Sequence, residues 1–177
     1  MNYKSKKTII IKNIILKNGI FGGIIVSIVM ISMTLYMKTY TDREPIAIIG
    51  FGSMLLAFIF VIRGIKQERE TNSGVITFGK AFLTGLSISL VISTIYVIVW
   101  LIVYYNFFPN FMEQYSEMVL KNTNPEELVA KTAEMNQMKE WYKSPIMIIL
   151  LTLMEILPIG IVVSLIGALV LKKKSNQ

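Results

Sequence analysis

The sequence predicts an all-α fold, an integral membrane four-helix bundle with an extracytoplasmic helical loop between spans three and four. The 177 residues are 54% hydrophobic and 16% charged, whereas soluble domains carry about 45–50% apolar and about 25% charged residues. The apolar excess lies in four long runs that hold almost no charge. Four such runs would leave too little polar sequence to cover a soluble surface, which favours a membrane bundle.

The four runs define the predicted spans, because a helix needs roughly 20 apolar residues to cross a bilayer core. We place the spans near residues 19–37, 46–62, 81–108 and 146–171 of a single membrane domain, 1–177. The first run is longer than the core of a secretory signal peptide and lacks a small-residue cleavage site after it. We therefore expect the first span to be retained.

The distribution of lysine and arginine predicts the orientation. Twelve of them lie in the N-terminal arm, the loop between spans two and three and the C-terminus, and six lie in the first and third loops. Cytoplasmic flanks carry the basic excess. We therefore expect a multi-pass protein with both termini in the cytoplasm.

The third loop, residues 109–144, is too long for a structureless connector. It is predicted to form two helices that meet at residues 122–125, with Asn124 as the N-cap of the second and Pro125 at its first position. We expect this loop to cover the extracytoplasmic mouth of the bundle, with self-association as the alternative.

Small residues at four-residue spacing mark the predicted packing faces, because helices in lipid associate where their backbones approach closely. These are Gly19, Gly23 and Ser27 in the first span, Ser53 and Ala57 in the second, Ala81, Gly85, Ser89 and Ser93 in the third, and Gly160, Ser164 and Ala168 in the fourth. We interpret the pattern as bundle packing in preference to a pore or ligand surface.

Glu155 is the one charge inside a span, nine residues from its start and so roughly 14 Å deep. A carboxylate at that depth must face protein or water, be paired, or be protonated. The predicted polar site joins Glu155 to Pro158, which frees a backbone carbonyl beside it, and to nearby hydroxyls. The hydroxyl candidates in that site are Thr152, Ser89, Ser93 and Tyr96.

The packing residues of the fourth span lie about 180° around the helix from Glu155. A straight helix would then need two protein-facing sides. Either Pro158 turns the two sides towards each other, or the Glu155 side meets another subunit.

A set of short motifs resembles the domain of unknown function 4199 family, small four-span bacterial membrane proteins. The motifs are Ile62-Arg63, Gly74–Gly85 (GVITFGKAFLTG), Phe108-Pro109-Asn110-Phe111, and Glu155 with Gly160 in the last span. The resemblance implies a helical bundle in the bacterial inner (cytoplasmic) membrane. It implies no catalytic or binding residues, since the family has no established activity.

Composition limits the chemistry that remains. Histidine and cysteine are absent and Asp42 is the single aspartate, which argues against catalytic residues, metal ligands and cofactors. We expect no enzyme, and a structural or interaction role through helix packing. The alternative is a small proton- or cation-coupled transporter that uses Glu155. The expected partners are the lipid bilayer and a second copy or another membrane protein, with no nucleic acid.

Overall fold

A computed structural model describes residues 3–40 and 47–173, and its regular structure in these ranges is helical apart from one isolated β-bridge. The helices are α1 (Tyr3–Thr39), α2 (Ala47–Thr71), α3 (Phe78–Asn106), α4 (Phe111–Lys121), α5 (Leu128–Trp141) and α6 (Pro145–Leu171). The four longest, α1, α2, α3 and α6, are long and apolar enough to cross a membrane. The prediction of an all-helical membrane bundle is confirmed.

Some residues used in the predictions lie outside the described part of the chain. These are Asp42 and Arg43 in the first loop, Ile46 at the predicted start of the second span, Lys174 near the C-terminus, and the side chain of Lys4.

The central pair of the bundle is α2 and α3, which pack on each other. Both also pack on α1 and on α6, so α1 and α6 lie on opposite sides of this pair. Fully buried side chains from the central helices and α6, among them Phe58, Ile88, Ile92 and Ile156, form the core.

The bundle has two ends, which we name by what they carry. At the terminal side, backbone hydrogen bonds of 3.0 and 2.9 Å join Ile76 to Lys173, and the Lys7 ammonium donates to Asn72. At the loop side, which carries α4 and α5, the Lys38 ammonium donates to the carbonyl of Phe107 at 2.9 Å. Both chain ends that the structure describes therefore lie on the terminal side.

Two of the helices extend well past the predicted spans. Helix α1 begins sixteen residues before Gly19, and α2 continues nine residues beyond Ile62. The hydropathy pattern marks only the apolar core of a bilayer, whereas lysine and glutamate extend a helix readily. Helix α2 ends where Ser73 and Gly74 adopt positive φ angles of 57° and 78°, a conformation that stops a helix.

Helices α4 and α5 lie over the loop-side end of the bundle. Met118 of α4 packs with Met37 of α1 and with Phe108. The predicted cap of α5 is wrong: the helix begins at Leu128, and Pro125 lies in a preceding turn. In that turn the amide of Glu127 donates to the carbonyl of Asn124 at 3.0 Å, so the turn places three residues between Asn124 and the helix.

Candidate functional site

A cavity of about 600 Å³ opens within the loop side of the bundle, and we name it the loop-side cavity. Its walls come from α1, α2, α3 and α6, and α4 with the end of α5 covers it. Most lining side chains are thioethers or aromatic rings. They are Met30, Met33, Met37, Met54, Met112, Met118 and Met138, with Phe51, Tyr96, Trp100, Phe111, Tyr115 and Tyr142.

The cavity lies in a part of the bundle where small residues do not bring the helices into close contact. At the loop-side end of α2, a Cβ added to Gly50 or Gly52 would meet nothing within 4 Å. Near the centre of the bundle the packing is close: a Cβ on Gly22 would lie 2.9 Å from the carbonyl oxygen of Ala57. The close packing near the centre thus gives way to open space beside Gly50, which lines the cavity.

Glu155 is the only Asp, Glu, Lys or Arg among the described residues that line the cavity. Its side chain is exposed, and its carboxyl group lines the cavity together with the hydroxyl-bearing side chain of Tyr96. Tyr96, which belongs to the neighbouring helix α3, is only 6% exposed. Glu155 thus faces protein and the cavity, as a charged residue in a span must.

Tyr142 adds a neutral phenol to the cavity at its covered end. Burial raises the pKa of Tyr142 to about 12, and the nearby Glu155 acts in the same direction. The rings of Trp100 and Phe111 meet edge-on with centroids 4.8 Å apart, and the ring of Tyr142 lies 6.1 Å from that of Phe111. These contacts build a rigid aromatic wall.

The predicted hydroxyl partners of Glu155 separate into two groups. Tyr96 and Thr152 line the cavity with it, although the Thr152 hydroxyl donates to the carbonyl of Ile148 at 2.7 Å. Ser89 and Ser93 are completely buried on α3 and do not line the cavity. Sequence reasoning placed all four on one site because their depth is similar.

Ser89 belongs to the contact between α3 and α6. Its hydroxyl lies 3.2 Å from the carbonyl oxygen of Gly160 and 3.2 Å from the hydroxyl of Ser164. A Cβ on Gly85 would lie 3.0 Å from the Cβ of Ser164. The hydroxyl of Ser93 has no hydrogen-bond partner among the described residues. This region is a tight helix junction.

The small residues of α1 serve the same purpose on the other side of α3. A Cβ on Gly19 would lie 2.5 Å from Val91, and one on Gly23 would lie 2.7 Å from Ile95. Ser27 is buried near them, and its hydroxyl has no partner in the described part of the chain. The small-residue faces are thus occupied within one chain.

The two protein-facing sides of α6 lie at different depths. Buried residues that recur every four positions shift by about 40° around the helix at each step. Glu155 therefore lies about 60° from Thr152 but about 180° from Ser164. Thr152, Gly160 and Ser164 are all buried, and α6 runs through an exposed Pro158 without a break. Glu155 thus lines the cavity without a break of α6 at Pro158.

Two features of the structure were missed from the sequence. Seven of the eleven methionines line one cavity. The sequence signal for it is the helical spacing of Met30, Met33 and Met37, which places them on one face of α1. Glu68 is a second buried acid, 7% exposed, which accepts a hydrogen bond from the hydroxyl of Thr84. It continues the buried face of α2 one turn beyond Ile65.

The described residues contain no group of three potential metal ligands among His, Cys, Asp and Glu. Comparison with known families gives one match: a family described as a protein of unknown function, DUF4199, matches residues 17–173. No curated protein matches the chain, and no solved structure matches it.

Proposed function

The chain belongs to the DUF4199 family, whose function is unknown, and we propose that it binds an amphipathic organic cation in the loop-side cavity. The observation that carries the proposal is that Glu155 is the single acidic or basic residue in a cavity lined by aromatic rings and thioethers. Binding of this kind is the first step of the proton- or cation-coupled transporter that the sequence admits.

The chemistry of the cavity supports a cation with an apolar body. A volume of about 600 Å³ lies in the usual range for sites that hold drug-sized ligands. Aromatic faces attract cations through their quadrupoles, and methionine side chains adapt to ligands of different shape. In a site with no lining Lys or Arg, an anion would meet only the repulsion of Glu155.

The proposal includes the setting in which the cavity works. We place the protein in the bacterial inner membrane, with the terminal side in the cytoplasm, because the basic residues are concentrated on that side. The loop-side cavity then opens towards the extracytoplasmic half of the bilayer. We propose a non-enzymatic role, because no second carboxylate and no Lys or Arg lines the cavity with Glu155.

A structural or interaction role through helix packing is the second candidate. Its support is the exposed apolar start of α5, where Val129 is 84% and Leu128 41% exposed. Against it, the small-residue faces of α1, α3 and α6 are filled by contacts within the chain. A second copy or another membrane protein would therefore have to use other faces.

The test compares two probes of the same shape and opposite charge, tetraphenylphosphonium and tetraphenylborate. We expect equilibrium dialysis with the purified protein in detergent to show binding of the phosphonium ion alone. Glu155→Gln removes the acid and keeps a side chain of nearly the same size and shape, so binding should weaken at least about tenfold, equivalent to about 1.4 kcal/mol.

Glu113→Gln is the matched control, because Glu113 is an exposed acid of α4 that does not line the cavity. It should leave binding unchanged. The proposal is wrong if both probes bind equally, or if Glu155→Gln binds like the wild type. A large loss of thermal stability in Glu155→Gln would instead support the role of Glu155 in holding α3 to α6.

Proton coupling is tested separately in vesicles that contain a pH-sensitive dye. We expect a proton flux in response to an imposed gradient with the wild type and none with Glu155→Gln. Binding of tetraphenylphosphonium without any flux would limit the function to ligand binding.

A further inference from the structure

A second cavity, of about 280 Å³, lies on the terminal side between α1 and α3, and we name it the terminal-side groove. Lys7 and Ile15 line it from α1, Glu68 from α2, and Lys80, Leu83 and Ser87 from α3. It is far from Glu155, and the binding proposed for the loop-side cavity does not involve it.

The groove changes from charged to apolar with depth. Helices α1 and α3 both enter the membrane from the terminal side, so Lys7 and Lys80 lie at its mouth. Ile15 lies about 12 Å further along α1 than Lys7, and Ser87 about 10 Å further along α3 than Lys80. The mouth coincides with the start of the predicted third span at residue 81, where lipid headgroups meet the protein.

The charges at the mouth add to a single positive charge. Lys7 and Lys80 contribute two, and Glu68 removes one. Glu68 is buried in the groove wall, where it accepts a hydrogen bond from the Thr84 hydroxyl. The Lys7 ammonium is fixed over the groove by its hydrogen bond to Asn72.

We infer that the terminal-side groove binds an anionic phospholipid. The phosphodiester lies between Lys7 and Lys80, and an acyl chain follows Ile15 and Leu83 into the bilayer. One negative charge neutralises the mouth, whereas a zwitterionic lipid leaves it positive. Basic pockets between helices on the cytoplasmic side are the usual sites for anionic headgroups.

The test measures the melting temperature of the protein in detergent with added phosphatidylglycerol, phosphatidylethanolamine, phosphatidylcholine or inorganic phosphate. A ligand that binds only the folded state raises this temperature. We expect phosphatidylglycerol to give the largest rise. Each lysine near a headgroup contributes about fivefold in affinity, so Lys7→Gln with Lys80→Gln should weaken binding about 25-fold.

Lys66→Gln with Lys172→Gln is the matched control. Both residues are exposed on the terminal side and neither lines the groove, so this pair should keep the full response. Should the double variant at the mouth fail to fold, the exposed Lys80 alone is replaced, with an expected loss of about fivefold. Leu83→Trp, at an exposed position on the groove wall, should also abolish the response.

Three results would overturn the inference. The first is an equal response to phosphatidylglycerol and phosphatidylcholine. The second is a response to inorganic phosphate alone, which would mean that the groove binds a free anion and not a lipid. The third is an equal loss of the phosphatidylglycerol response in the control pair. That result would mean that the response depends on the net charge of the protein and not on the groove.

Discussion

The two ends of the bundle are packed in opposite ways. On the terminal half, Gly85, Gly160 and Gly167 leave no room for a methyl group, and serine hydroxyls join α3 to α6. On the loop half, Gly50 and Gly52 face open space, and the cavity between the helices is lined with methionine.

The difference shows how one bundle combines stability with a space for a ligand. Close backbone contact through small residues is what holds helices together in lipid. Methionine, by contrast, has flexible, polarizable side chains that fill irregular space without fixing it. The terminal half therefore supplies the rigid support, and the loop half supplies an adaptable site that contains Glu155 and Tyr96.

The same substitution made in both halves gives the largest expected contrast. Ser89 is completely buried between α3 and α6, so Ser89→Leu forces extra volume into a filled junction and should cost about 3 kcal/mol. Ser53 lines the cavity and donates within its own helix to Gly50 at 2.7 Å. Ser53→Leu should change stability by less than about 1 kcal/mol, because it has space to occupy.

Unfolding titrations in mixed micelles compare the two variants. Ser53→Leu should also weaken tetraphenylphosphonium binding, since it reduces the cavity volume. Equal destabilisation by the two changes would contradict the contrast between the halves.

Adding a single methyl group to a glycine in each half should give a smaller difference in stability of the same kind. The Cβ of Gly160→Ala would lie 2.8 Å from the Cβ of Ser89 and 2.8 Å from the ring of Phe58, so this change should cost about 1–3 kcal/mol. Gly52→Ala meets nothing within 4 Å and should stabilise α2 by up to about 1 kcal/mol, the gain in helix propensity.

Thermal melts followed by circular dichroism at 222 nm measure both glycine variants. Opposite signs are expected. A stabilising Gly160→Ala would mean that α3 and α6 separate freely at this point.

The sequence was sufficient for the class of protein, and it singled out Glu155 with four hydroxyl candidates, of which Tyr96 and Thr152 line the same cavity, because a charge and a hydroxyl stand out in an apolar span. It was not sufficient for the cavity. Lipid-facing and protein-facing residues in a membrane are equally apolar: Ile48 is 81% exposed and Ile88 fully buried. Which helix faces meet is therefore not encoded in hydropathy, and the shared location of seven methionines follows only from the fold.

The smallest expected effect concerns Tyr142, which lies just outside the spans at the covered end of the cavity. Burial raises the pKa of Tyr142 to about 12, so the phenol is neutral at physiological pH and the folded state loses stability as pH rises from 10 towards 12. Because Glu155 contributes to this shift, Glu155→Gln should lower the pKa of Tyr142 while leaving it above 10.

Carbon-13 NMR of ring-labelled tyrosine, assigned with Tyr142→Phe, measures this titration directly. The exposed Tyr105 provides an internal reference in the same spectrum. An unchanged pKa of Tyr142 in Glu155→Gln would show that the two groups do not share the cavity. A lowered value that remains above 10 would place the charge of Glu155 beside the aromatic wall, where the proposed cation is bound.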